Sequence, residues 1–275
     1  MSDHFKNIID LFELPGSEGE LIPAETQGKE GRTAEESRTF GQERMAAGDY
    51  QAAVEHFQKA IQQGSAESVA ELGAAYEVGD FIPQAYVQYR KALQSQANGD
   101  VAIGVAALMK REGRWKDSIA ELQTAIEKEP HHAFLHFRLA ETLREARYPK
   151  AALAAVQGAI ANQADDAFYH FWAAELAHEL KRFEESLGAI HAALELSQDD
   201  PYYLAIAGAA SWGCGRELEA RAFIKQAVRD SEGDAAYIGV ARQLGVPGFD
   251  GVSVGEYDAS RANRLLRPLG LEIAE

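Results

Sequence analysis

The residues of this chain best suited to chemistry are rings rather than nucleophiles. Phe134 and Phe137 recur 34 residues later as Phe168 and Phe171, and Tyr202 stands a further 34 after Phe168. Glu141 and Glu175 repeat beside them at the same interval. Aromatic side chains supply large contact area and are enriched where a few residues dominate binding. A row of rings with acidic companions suits recognition of another polypeptide. The spacing leaves a second reading open, in which the rings are core between neighbouring repeats.

Reactive chemistry is poorly provided for. His132 and His136 sit at i, i+4 behind His131, but there is no HExxH and no Cys or carboxylate at a matching ligand spacing. Solvated or hydrogen-bonded histidines, and no metal, are the expectation. No GxxxxGK[ST] and no GxGxxG after a strand is present, and no nucleophile–base–acid set can be traced. The single cysteine, Cys214, excludes an intrachain disulfide and has no neighbouring His or Lys in sequence, so it reads as structural. Neither a cofactor nor an enzymatic activity is expected.

The rings must be held by helices, and the helices repeat. Asn98–Pro130 reads as two short amphipathic helices joined at Gly113-Arg114 and ended by Pro130. The layout recurs with an alanine late in each second helix, at Ala60, Ala92, Ala125, Ala159, Ala193 and Ala227, spaced 32, 33, 34, 34 and 34 residues apart. Seven residues before each alanine is a small residue (Ala53, Ala85, Ser118, Ala152, Ser186, Ala220), and three before it a larger apolar one (Phe57, Tyr89, Leu122, Val156, Ile190, Ile224). First helices carry their own small residue at Gly41, Gly73, Ala106, Ala140, Ala174 and Gly208. Helices approach to about 8–10 Å only where crossing residues are small, so these positions are where paired helices should meet.

A period near 34 built from helix pairs resembles the tetratricopeptide repeat (TPR) family, over roughly residues 33–245. The resemblance implies an all-α, right-handed α-solenoid of about six helix hairpins, with a further helix from Gly233-Asp234 to Leu244 as a C-terminal cap. It also implies that first helices line a concave groove. Carried over residue by residue, the exposed groove positions include Phe134, Phe137, Glu141 and Arg144 in repeat four. In repeat five they include Phe168, Phe171, Glu175 and His178, and in repeat six Tyr202 and Trp212. Some relatives grip a C-terminal carboxylate with Lys and Asn at the fifth and ninth groove positions. Here those are Arg38 and Gln42, then Ala70 and Ala74, so that mode is not expected.

Three segments follow: an N-terminal helix and linker over 1–32, the array over 33–245, and a loop and helix over 246–275. In the first, Phe5, Ile8, Ile9 and Phe12 form one apolar stripe, a docking helix or a cap on repeat one. Residues 15–32 read as a flexible linker spanning about 23 Å. In the last, Glu256–Arg267 reads as a helix whose Arg261, Arg264 and Arg267 make a basic, solvated face.

Twenty-seven Lys and Arg against 43 Asp and Glu give a net charge of −16. Nucleic acid and anionic membrane are therefore disfavoured, and a basic or amphipathic protein partner is favoured. Neither a secretory signal nor a membrane span is visible, which gives a cytoplasmic expectation. The function expected is a scaffold or adaptor binding a partner's peptide or helix in the groove. The alternatives are a structural protein that self-assembles through its N-terminal helix, and an accessory subunit of an enzyme with a small C-terminal site.

Overall fold

The computed structural model describes residues 33–95, 99–197, 200–252 and 259–273. Phe5, Ile8, Ile9, Phe12 and the linker lie outside them. The described elements are α1 (Ala34–Ala46), α2 (Tyr50–Gln62), α3 (Ser68–Val78), α4 (Ile82–Ser95), α5 (Gly99–Arg111), α6 (Trp115–Lys128) and α7 (Ala133–Glu145). They continue with α8 (Pro149–Asn162), α9 (Ala167–Glu179), α10 (Phe183–Leu196), α11 (Pro201–Gly213), α12 (Glu217–Asp230), α13 (Ala235–Gln243), α14 (Ser260–Leu266) and a 3-10 turn, Arg267–Leu269. Every described element is helical, and the architecture is an α-solenoid of helix hairpins.

Local chemistry explains the boundaries. Thr33 and Glu36 form a reciprocal capping box at the start of α1, satisfying two backbone donors that the helix leaves orphaned. Asp49, Asp166, Asp200 and Asp234 each accept a backbone N–H at the start of α2, α9, α11 and α13. Pro149 and Pro201 occupy first helical positions, where a missing N–H costs nothing. Hairpin turns close in one way: the residue at C′ takes left-handed backbone and the next N–H reaches back five residues, as Tyr148 does to Leu143 (2.8 Å) and Arg182 to Ala177 (2.8 Å).

The small residues do the work the sequence assigned them. A Cβ on Gly41 would stand 2.5 Å from the Phe57 ring, and one on Gly208 would stand 2.7 Å from Ile224. In repeat five, Ser186 donates to the Ala174 carbonyl at 2.8 Å, so α9 and α10 touch almost backbone to backbone. Gly41, Gly73 and Gly208 thus leave holes that Phe57, Tyr89 and Ile224 of the facing helices fill.

The chain divides into two compact units, Met1–Arg114 and Trp115–Glu275, with the division in the turn of repeat three. In the first, Phe57, Leu72 and Ala75 form one core and Tyr89, Val105, Leu108 and Met109 another. In the second, a continuous core runs from Ala174 and Ile190 through Ile206, Ile224 and Val240 to Leu265 and Leu266.

The C-terminal end is packed more extensively than the repeat pattern implies. The capping helix α13 is itself covered: Tyr237, Ile238 and Val240 are buried, and Arg242 donates to the carbonyls of Phe249 and Val252, holding that loop down. The arginine helix keeps Arg261, Arg264 and Arg267 largely exposed and ion-paired on one face, and packs the other. Its Ala262, Asn263, Leu265 and Leu266 are buried, and Asn263 pins the following strand of chain through both polar atoms of its amide to Ile273 (2.9 and 2.7 Å). An amphipathic pattern of seven helical residues is too short for sequence to reveal which face is apolar.

Candidate functional site

The rings of repeats four to six form one ladder. Centroids are 5.9 Å apart from Phe134 to Phe137, 5.2 Å from Phe137 to Phe168, 6.1 Å from Phe168 to Phe171 and 5.6 Å from Phe171 to Tyr202. The rungs differ in kind. Phe134 and Phe168, first-turn residues of α7 and α9, are each 44% exposed. Phe137 is 6% exposed, which corrects the expectation that it faces the groove; Tyr169 and Trp172 of the next repeat enclose it at 5.6 and 5.1 Å. Phe171 is half-buried and stacks on Tyr203 at 5.0 Å. The core reading therefore holds for Phe137, which packs between repeats, while Phe134 and Phe168 stand in solvent.

Glu141 forms an ion pair with Arg138 (2.7 Å), whose guanidinium lies 5.9 Å from the Phe134 ring. Trp212 lies apart from the ladder, against the core of repeat six with Arg221 over its ring at 5.9 Å.

At the other end of the same helices lies a cleft of 1030 Å³, lined by residues of α7, α9, α11 and α14. Its floor is Glu175, 6% exposed. Arg144 donates to it at 2.5 Å, the Tyr202 hydroxyl at 2.9 Å and Arg264 at 3.4 Å. Burial alone would raise the Glu175 carboxyl, but Arg144, the Tyr202 hydroxyl and Arg264 together hold it below the ordinary carboxylate value. Burial, then the Glu175 charge, pushes the Tyr202 phenol well above its ordinary value. Arg144 also reaches Glu179 at 3.3 Å and lies 5.1 Å from the Trp172 ring.

His178 is 2% exposed, another correction to the expected groove exposure. Its Nε2 donates to the Leu265 carbonyl at 2.8 Å, which leaves Nδ1 as a bare acceptor; that atom is buried without a partner. Burial lowers its pKa. This bond and the Arg264–Glu175 pair fasten the C-terminal helix to repeat five.

Sequence reasoning named Arg144, Glu175, His178 and Tyr202, which the cleft brings together, but missed Trp172, Arg147 and Lys181, and it named Arg264 and Arg267 only as a basic face, without placing them here. The turn register carried a signal for Arg147 and Lys181: left-handed turn residues are Gly48, Gly113 and Gly215 in repeats one, three and six, but Arg147 and Lys181 in four and five. Holding a side chain in that backbone costs about 1 kcal/mol each. Nothing in the sequence says where a non-repeating helix docks, so the contact of Arg264 with Glu175 was not legible.

The three histidines have structural partners. His132 caps α7 by accepting the Leu135 N–H, His136 bonds the Pro130 carbonyl at 2.9 Å, and His131 meets Asn162 at 3.1 Å. Burial raises the Cys214 thiol, away from the reactive thiolate. Among the described residues no helix is long and apolar enough to cross a membrane.

Comparison with known proteins agrees with this geometry. The tetratricopeptide repeat family model matches residues 110–167 and 137–201. No curated protein matches the chain in sequence. Among solved structures, YrrB, a TPR protein with an unusual peptide-binding site, superposes with a TM-score of 0.58 at 17% identity, covering 68% of this chain and 97% of its own. PilF of Pseudomonas aeruginosa gives 0.63 at 15% identity, covering 76% and 96%. MamA gives 0.54 at 18% identity, covering 62% and 94%. At such identities the likeness is one of fold. Hairpins in a common register carry the likeness: over residues 110–201 the chain matches the tetratricopeptide repeat family model, and its fold is similar to that of solved tetratricopeptide repeat proteins.

Proposed function

We propose that this protein is a non-enzymatic adaptor that binds a peptide segment of a partner protein along the first helices of repeats four to six. One observation carries the reading: Phe134 and Phe168 hold the same register and are left in solvent, beside rings that are otherwise packed away. Leaving two phenylalanines exposed forgoes apolar burial that folding could have used. Each lies against an already ordered ring, so a peptide side chain seated there loses little to reorganisation. Peptide binding by the similarly folded YrrB supports the class of ligand.

The test is selection from a displayed library of random peptides on the wild-type chain and on Phe134→Ala/Phe168→Ala. The wild type should enrich sequences with aromatic or aliphatic anchors. Those peptides should bind the double variant about thirtyfold more weakly, the effect of losing about 2 kcal/mol of hot-spot contact. Its thermal midpoint should stay close to that of the wild type. Equal binding by both proteins, or no enrichment by either, would contradict the reading.

A further inference from the structure

We infer that Arg147 and Lys181 recognise a carboxylate on the bound peptide, within the cleft into which the aromatic ladder leads. The inference rests on the peptide-binding reading above and adds the partner's chemistry to it.

The turn register is the first support. Hairpin turns need one residue in left-handed backbone, and glycine fills it with least strain. Three turns use glycine; Asp80 stands in repeat two, Arg147 (φ 68°) in repeat four and Lys181 (φ 60°) in repeat five. Asp80 has a visible task, since Arg111 bonds it at 2.6 Å. Arg147 and Lys181 keep the strain with no such partner: among the described residues neither side chain makes an ion pair or hydrogen bond. Strain retained at two adjacent turns points to a role outside the fold.

Placement is the second. Arg147 and Lys181 line the same cleft, while its inner cations, Arg144 and Arg264, are occupied by Glu175. Tyr202 joins the two regions: its ring is the last rung of the ladder, and it lines the cleft.

Charge is the third. In a chain of net charge −16, this cleft is lined by five Lys or Arg and three Glu. With Glu175 neutralised in its floor, an incoming carboxylate meets a positive rim, whereas a basic group would meet repulsion. The acidic surface as a whole suggested a basic partner; the cleft argues the opposite for the group that enters it.

The helices also set a distance. Phe134 and Arg147 are separated by the length of α7, as Phe168 and Lys181 are by that of α9. At about 1.5 Å per residue this is about 20 Å, which an extended peptide covers in about six residues. The recognised segment therefore carries an apolar anchor and, about six residues away, a carboxylate.

Arg147→Gly/Lys181→Gly tests this without endangering the fold, since glycine is what the other turns use. Library selection is run on this variant, on the wild type and on Phe134→Ala/Phe168→Ala. Wild-type peptides should be acidic as well as apolar, and the glycine variant should select apolar peptides without the acidic bias, with an equal or higher thermal midpoint. One selected peptide is then made with its Asp and Glu replaced by Asn and Gln, and separately with an amidated C-terminus. Weakening of about tenfold by the first places the carboxylate on a side chain, and by the second at the chain end. Neutral wild-type peptides, an acidic bias that survives in the glycine variant, or no weakening by either peptide change would overturn the inference while leaving peptide binding intact. Failure of the phenylalanine variant to weaken binding would instead overturn the reading beneath it.

Discussion

The first helices of repeats one and two and those of repeats four to six are built on the same frame and carry different surfaces. In the first unit the groove positions are small or mutually satisfied. Ala70 and Ala74 are half-buried, and Arg38 donates to Glu71 at 3.0 Å and also pairs with Glu67. Gln42 donates to the same Glu71 at 2.6 Å. These groups answer one another around a smaller cleft, of 420 Å³. In the second unit the same register positions hold Phe137 and Phe171, flanked by exposed Phe134 and Phe168 and by a cleft with unanswered cations. The frame is set by the markers that recur near 34 residues; the surface is set by positions free to differ between repeats.

The sharpest way to break this contrast is at the fifth position of the first helix. Phe137→Ala removes a ring enclosed by Phe168, Tyr169 and Trp172, and should cost about 3–5 kcal/mol. Its register-mate Ala70→Gly should cost only about 1 kcal/mol, from helix propensity. Urea unfolding of both variants measures the difference, and equal costs would mean that the units do not differ in the way described.

The frame, by contrast, should respond alike in both units. Ala140→Leu and Gly41→Ala each add atoms where no space exists, against α8 in one case and the Phe57 ring in the other. Each should cost about 1–3 kcal/mol by overpacking. Thermal scans showing one tolerated and the other not would contradict a shared frame.

A smaller effect is pH-dependent. The His178 pKa is lowered by burial, so its stabilising contribution is complete above the unfolded histidine value of about 6.5 and is lost as pH falls below it. His178→Gln, which keeps a donor for the Leu265 carbonyl, should flatten the decline in stability between about pH 7 and 5. An unchanged slope would show that His178 does not titrate this unit. Glu175, whose pKa is depressed, acts lower: its contribution is present above the ordinary carboxylate range and fades as pH falls through it. The smallest effect belongs to the first unit, where Arg38→Ala should cost at most about 1 kcal/mol, because the partly exposed ion pairs it removes are screened.

How much of this was legible in the sequence follows from the same division. Alanine and glycine markers repeat because the backbone crossing repeats, so the hairpins, turns and caps could be read from spacing. The rings repeated too, but burial depends on what the next repeat offers. Phe137 is enclosed because Trp172 and Tyr169 lean over it, and Phe134 is not; a 34-residue interval cannot distinguish them. The C-terminal helix belongs to no repeat. Its docking through Leu265 to His178 and through Arg264 to Glu175 joins residues 87 and 89 apart, a pairing that only the folded chain declares.

The most direct measurement is a photo-crosslink. A library-selected peptide carrying benzophenone in place of its apolar anchor is bound to the wild-type chain, irradiated, digested and mapped by mass spectrometry. Adducts should fall on α7 and α9, near Phe134 and Phe168. Adducts confined to α1, α3 or the outer helices α8 and α10 would contradict the claim that the aromatic ladder is the peptide-binding surface.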